Sequence, residues 1–284
     1  MALTNKYNIP SPLPEIVAEG GHAPRPNRYS VTDLIEPPLI RSLKLKHYEE
    51  MSSDVSDYLY MLLGTAVDKL LTDNLKADSS CLVQHKMTYE IEGCTIVGVA
   101  DVIQGDKVSD WKVTSTSVLT NENRINKYVE QLNIYAFLRN HEREVPVRNI
   151  EIQAYLRDWV KSKTMTKGYP RCQWATLPLR HRLMSFPEQE EFVMNRLLDH
   201  LHNPMRECTP AEKWQKETTY AVKKEGRKSA MRVLGSERDA FQWIEQNVKP
   251  ELASKISVER RPGGCPRCTS YCSVSRFCPY NKED

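Results

Sequence analysis

Residues 94–114 read CTIVGVADVIQGDKVSDWKVT, and the fold turns on where this stretch bends back on itself. Apolar residues recur on both sides of Gly105-Asp106, a dipeptide suited to a two-residue hairpin turn. In that register Gln104 pairs with Lys107, and each step back along one strand matches a step forward along the other. Asp101 then falls opposite Asp110. Opposed residues of an antiparallel pair have Cβ atoms about 4.5–5.5 Å apart, where like charges are destabilising. Lys112, two residues beyond Asp110, shares their face and offers one positive charge against two negative ones. Val97, Val99 and Ile103 make the surroundings of Asp101 apolar, which argues against a merely solvated hairpin. A divalent cation supplies the missing charge, and hard carboxylate oxygens select Mg²⁺ or Mn²⁺ over a thiophilic metal. A cation beside a lysine suits hydrolysis of a phosphate ester, because the lysine can orient water or stabilise charge on the phosphate.

Working outward, residues 82–91, 94–104 and 107–113 alternate with period two and are separated by Glu92-Gly93 and Gly105-Asp106, which predicts an antiparallel meander. Residues 55–75 place Leu59, Leu62, Leu63, Ala66, Val67, Leu70 and Leu71 at helical spacing, a pattern that predicts a largely buried helix. Residues 126–140 repeat that spacing through Tyr128, Leu132, Tyr135 and Leu138, and residues 149–156 alternate again. The expected order is helix, three strands, helix, strand, an α/β class. A short helix is expected from Ser30 or Thr32 to Leu45, interrupted at Pro37-Pro38, and another from Glu188 to His202. Strands near 220–222 and 230–234 and a helix from Glu237 suggest a separate small module. Residues 1–28, rich in proline, are expected to form an extended arm. The expected division is 1–28, 29–210, 211–260 and 261–284.

Composition excludes little beyond extremes. The 284 residues are 40% hydrophobic and 27% charged, ordinary globular values. Forty Lys+Arg against 37 Asp+Glu leave +3, so nucleic-acid affinity has to come from local charge. No stretch approaches the roughly 20 apolar residues of a bilayer span, and the first residues lack the apolar core of a signal peptide. A cytoplasmic, nucleoid-associated protein without a membrane partner is expected.

GVADVI (98–103) followed by SDWKVT (109–114) resembles the Asp and Asp-x-Lys motifs of the PD-(D/E)XK nucleases, specifically their RecB-like branch of CRISPR-associated and phage-type nucleases. The expected element order is similar to that family's restriction-endonuclease-like core. Gln131 and Tyr135 in YVEQLNIYA (128–136) resemble the branch's Gln-x-x-x-Tyr helix, which implies contact with DNA near the scissile phosphate. GTAVDKLL (64–71) resembles its first motif, except that Asp68 stands where the family has a metal-binding histidine. The resemblance implies metal binding by Asp68, Asp101 and Asp110, assistance to the nucleophile by Lys112, and an exonuclease acting in recombination, repair or DNA processing. Recombination or replication proteins, as in a phage-infected cell, are the implied partners. The missing histidine keeps open a non-cleaving DNA-binding or assembly protein on the same fold, and a restriction-like endonuclease is a further alternative.

Two other features point to ligands. Cys265, Cys268, Cys272 and Cys278 offer four thiolates at metal-ligand spacing, whereas Cys81, Cys94, Cys172 and Cys208 are scattered singly. A purely local ligand set favours Zn²⁺, while Pro279 and the family resemblance favour a 4Fe-4S cluster; either role is structural. The run VKKEGRKSAMR (222–232) presents Lys223, Lys224, Arg227 and Lys228 around a Glu225-Gly226 turn, a candidate clamp for DNA phosphates as well as a possible solvated face. The spread charges between Arg157 and Arg171 are a weaker candidate.

Overall fold

The computed structural model describes residues 2–20, 23–76, 78–142 and 146–281. Two compact units divide the chain, one ending at Arg206 and the other beginning at Glu207. In chain order the first contains β1 (Ala2–Thr4), α1 (Leu13–Glu19), β2 (Arg28–Ser30), α2 (Val31–Ile35), α3 (Pro38–His47), β3 (Ser52–Asp54) and α4 (Leu59–Leu75). The meander follows as β4 (Cys81–Ile91), β5 (Cys94–Gln104) and β6 (Lys107–Thr114), then α5 (Glu122–Glu142), β7 (Asn149–Leu156), β8 (Trp174–Pro178) and α6 (Phe186–His202). The second unit contains β9 (Thr219–Lys224), β10 (Arg232–Leu234), α7 (Glu237–Asn247) and β11 (Ile256–Arg261).

The fold of the first unit is mixed α/β. Its main sheet runs β2-β5-β6-β7-β8, with β4 paired to the other edge of β5. Both meander turns fall where expected, and Glu92 and Gly93 both take the positive φ that a tight turn of this kind needs. β6 pairs in parallel with β7 along its whole length, Lys107 to Asn149 through Thr114 to Leu156. On β7, Ile150, Ile152, Ala154 and Leu156 all point into the core, the period-two signal made physical. Leu132, Ile134, Phe137 and Leu138 of α5 fill the same core, with Val193 and Leu197 of α6 behind them. Arg196 of α6 donates to Leu34 O (2.7 Å) and Glu36 O (2.8 Å), satisfying the carbonyls at the end of α2. α2 begins with a capping box between Ser30 and Asp33 and stops before Pro37, as its sequence suggests.

Two expectations need correction. Residues 1–28 are not simply an extended arm. α1 forms with Pro12 at its N-cap and Pro14 in its first turn, where a proline needs no amide partner, and it buries Val17. β1 also pairs in parallel with β3. α4 is not largely buried: it packs on β4 and β6, and only Thr72 of its residues is fully enclosed. Leu59, Tyr60, Met61, Leu63 and Leu70 stay exposed because the core lies around α5 instead. In the second unit β11 pairs with β9 from Ile256–Lys224 to Arg261–Thr219. Among the described residues, no helix is long and apolar enough to cross a membrane.

Candidate active site

β5 divides one of its edges between two partners. Its first half takes β2 in parallel at Thr95–Val97, and its last residues take β6 at Val102–Ser109, Ile103–Val108 and Gln104–Lys107. The β5–β6 ladder therefore stops one step short of the Asp101–Asp110 position, and the strands part there. Asp101 Oδ2 accepts the Trp111 backbone N–H at 2.7 Å, so a side chain takes over where the ladder ends. The parted strands leave room for side chains that a continued ladder would crowd.

Asp110 is 2% exposed and in ion-pair contact with the Lys112 ammonium. Apart from that contact its buried Oδ2 has no hydrogen-bond partner among the described residues. Asp68 projects from α4 toward the same place. Gln84 Nε2 donates to Asp68 Oδ1 at 3.0 Å and Oδ2 at 3.2 Å, and to Asp101 Oδ1 at 3.3 Å. From α5, the Tyr128 ring lies 5.5 Å from Lys112 Nζ, and Gln131 Nε2 donates to the Tyr135 hydroxyl at 3.0 Å. The structure thus brings Asp68, Asp101, Asp110 and Lys112 together, with Gln131 and Tyr135 on the neighbouring helix face.

Electrostatics follow from burial and crowding. Burial, reinforced by Asp110, raises the Asp101 carboxyl to about 7, although the Trp111 N–H and Lys112 oppose the rise. Asp68 is raised by burial against hydrogen bonds from Thr72 and Gln84. Burial likewise raises Asp110, and Lys112 opposes it. Burial works to discharge Lys112, but Asp110 outweighs it and the ammonium is held above its ordinary range. Tyr135 is raised by burial and by the charge of Asp110, so its phenol stays neutral.

Among the described residues, no three His, Cys, Asp or Glu side chains already stand as a metal cage. The donors of the acidic site nonetheless fit a hard divalent cation. Three carboxylates converge, and all hold their protons more tightly than usual, with Lys112 the one cation beside them among the described residues. A cation among them would stabilise their charged forms against the burial that raises all three.

Sequence reading missed two residues here. Gln84 lies in the middle of β4, where alternation marks it as ordinary, yet it takes φ +49°. Gly98 lets α5 approach β5: a Cβ there would come within 2.6 Å of Leu138 Cδ1 and 3.0 Å of Tyr135 Cδ1. A glycine inside a strand was the available signal.

The other candidates lie in the second unit. Lys223 is in ion-pair contact with Glu259, which also pairs with Arg261 at 2.8 Å, whereas Arg227 and Lys228 are exposed at the tip. Cys265, Cys268, Cys272 and Cys278 occupy the turns after β11, with Cys268 N donating to Cys265 O at 2.9 Å. Cys208 joins them, although sequence spacing leaves it alone. Its thiol is raised to about 11 by burial, with smaller contributions from Glu212, Cys278 and Cys272.

No family model matches the sequence, and no curated protein matches it. Among solved structures, SSO0001 is similar with TM-score 0.47 and 19% identity, over 67% of this chain and 83% of its own. The alkaline exonuclease LHK-Exo from Laribacter hongkongensis is similar with TM-score 0.34 and 10% identity, over 63% of this chain and 90% of its own. At such TM-scores and identities neither likeness decides what this chain does.

Proposed function

We propose that the chain is a metal-dependent DNA nuclease with a restriction-endonuclease-like core, acting as a RecB-like exonuclease. The observation that carries this reading is the convergence of Asp68, Asp101, Asp110 and Lys112 at the point where β5 and β6 part. Asp68, Asp101 and Asp110 would hold Mg²⁺ or Mn²⁺, which when bound polarises a phosphoryl oxygen and lowers the pKa of water. Lys112 stays protonated beside Asp110, so its role is to donate hydrogen bonds to the phosphate or the attacking water rather than to remove a proton. The Tyr135 hydroxyl accepts from Gln131 and keeps its own proton, which leaves it a donor toward a phosphate oxygen. Gln131 holds that hydroxyl in place.

Cleavage of end-labelled single- and double-stranded DNA in Mg²⁺ and in Mn²⁺ tests the reading and gives polarity. Mononucleotide release from an end is expected, falling about a hundred- to a thousandfold in Asp110→Asn and Lys112→Ala, the scale typical of lost electrostatic catalysis. DNA that is bound and never cut would support the non-cleaving alternative, and internal fragments would support an endonuclease.

A further inference from the structure

Gln84 combines two features that neither strand pairing nor packing requires. It is a non-glycine residue in the left-handed region, φ +49°, in the middle of β4. Its neighbours Val83 and His85 pair normally with Val102 and Ala100, while Gln84 itself has no partner in that ladder. Left-handed backbone at such a side chain is disfavoured and persists where the surroundings hold it. What it gains is the place of its carboxamide, whose nitrogen lies 3.0 and 3.2 Å from the two oxygens of Asp68 and 3.3 Å from Asp101 Oδ1. Its positive N–H edge sits between two carboxylates from different elements.

We infer that the Gln84 amide is a built-in occupant of the cation position, bridging Asp68 and Asp101 until a divalent metal displaces it. The inference rests on the cation reading of this site. Two carboxylates left facing each other repel, and a neutral donor group between them lessens that repulsion without adding charge. A cation does the same more strongly but needs the same oxygens, so the amide has to turn aside first. Gln84 is therefore a positioning residue that weakens metal binding and holds the metal-free site together. An amide can also turn its oxygen toward the ion, and a Gln84 that acted as a ligand would have the opposite effect on affinity.

The test is calorimetric titration of metal-stripped full-length protein with Mn²⁺, alongside thermal melts with and without saturating Mn²⁺. Gln84→Ala removes the amide, and Gln84→Gly removes it while tolerating the left-handed backbone, so a fold failure of the first leaves the second to decide. Both variants are expected to bind Mn²⁺ on the order of tenfold more tightly, the scale of hydrogen bonds to charged groups that no longer need breaking. Each should also gain more melting temperature from Mn²⁺ than wild type does. A purely structural role would weaken binding along with stability. Equal or weaker Mn²⁺ affinity in Gln84→Gly, with wild-type protein binding Mn²⁺ and cleaving DNA, overturns the role of Gln84 and leaves the nuclease reading standing. Wild-type protein that binds no Mn²⁺ overturns both.

Discussion

Asp101 links acid–base behaviour directly to stability. Its carboxyl rises from an ordinary 3.8 to about 7, so the folded protein holds a proton that the unfolded chain releases. The stability this group contributes is fully present below about pH 4 and is lost as pH rises through about 7. The full shift corresponds to at most about 4 kcal/mol. Asp101→Asn, which can still accept the Trp111 N–H, is expected to stabilise metal-free protein by up to that amount near pH 8 and not near pH 4. Denaturant titrations in EDTA at the two pH values check this, and equal stability at both would refute the crowded-carboxylate account. Asp101, Asp110 and Lys112 were legible because a turn and strict alternation fix register and face together. Gln84 was not, because alternation assumes ordinary strand dihedrals and its position depends on a left-handed residue.

The basic β9–β10 hairpin shows how pairing edits a charge run. The sequence offers Lys223, Lys224, Arg227 and Lys228 as equals, but Lys223 is held in an ion pair with Glu259 on neighbouring β11, a carboxylate it shares with Arg261. Replacing Lys224, Arg227 and Lys228 by Ser is expected to reduce the slope of log affinity against log salt on duplex DNA by about 0.9 per lost contact. Lys223→Ser should change the slope less than any one of the three replacements, because its ammonium already has a carboxylate partner. Filter binding across a salt series measures both, and an unaltered slope in the triple variant would make the hairpin a solvated face. β11 itself escaped the sequence reading, since ISVERR carries only two aliphatic residues before its charged end. α4 misled in the other direction: spacing reveals which residues share a helix face but not whether another layer covers it. α5 shows the same pattern and is covered.

At the scale of the whole molecule, the two units differ in how much core they own. The first surrounds α5 with a continuous apolar cluster from Tyr29 to Leu197. Among the described residues from Glu207 onward, the fully buried hydrophobics are Ala221, Val222, Ala240 and Val274, small side chains that bury little area. A unit this thin ordinarily needs a disulfide or a metal to stay folded, and among the described residues its cysteines form no disulfide. We therefore expect Cys265, Cys268, Cys272 and Cys278 to bind a structural metal whose binding energy becomes folding energy. Anaerobically purified protein should contain either about one zinc or about four irons with matching sulfide. Brown protein that bleaches on reduction would select the cluster, and colourless protein with zinc would select the tetrahedral site. Cys272→Ser should then expose the segment beyond Glu207 to limited proteolysis while the first unit stays resistant, because that unit's core includes none of these cysteines. Metal-free protein with all the C-terminal thiols reactive and the second unit still protease-resistant would show that its few buried side chains suffice.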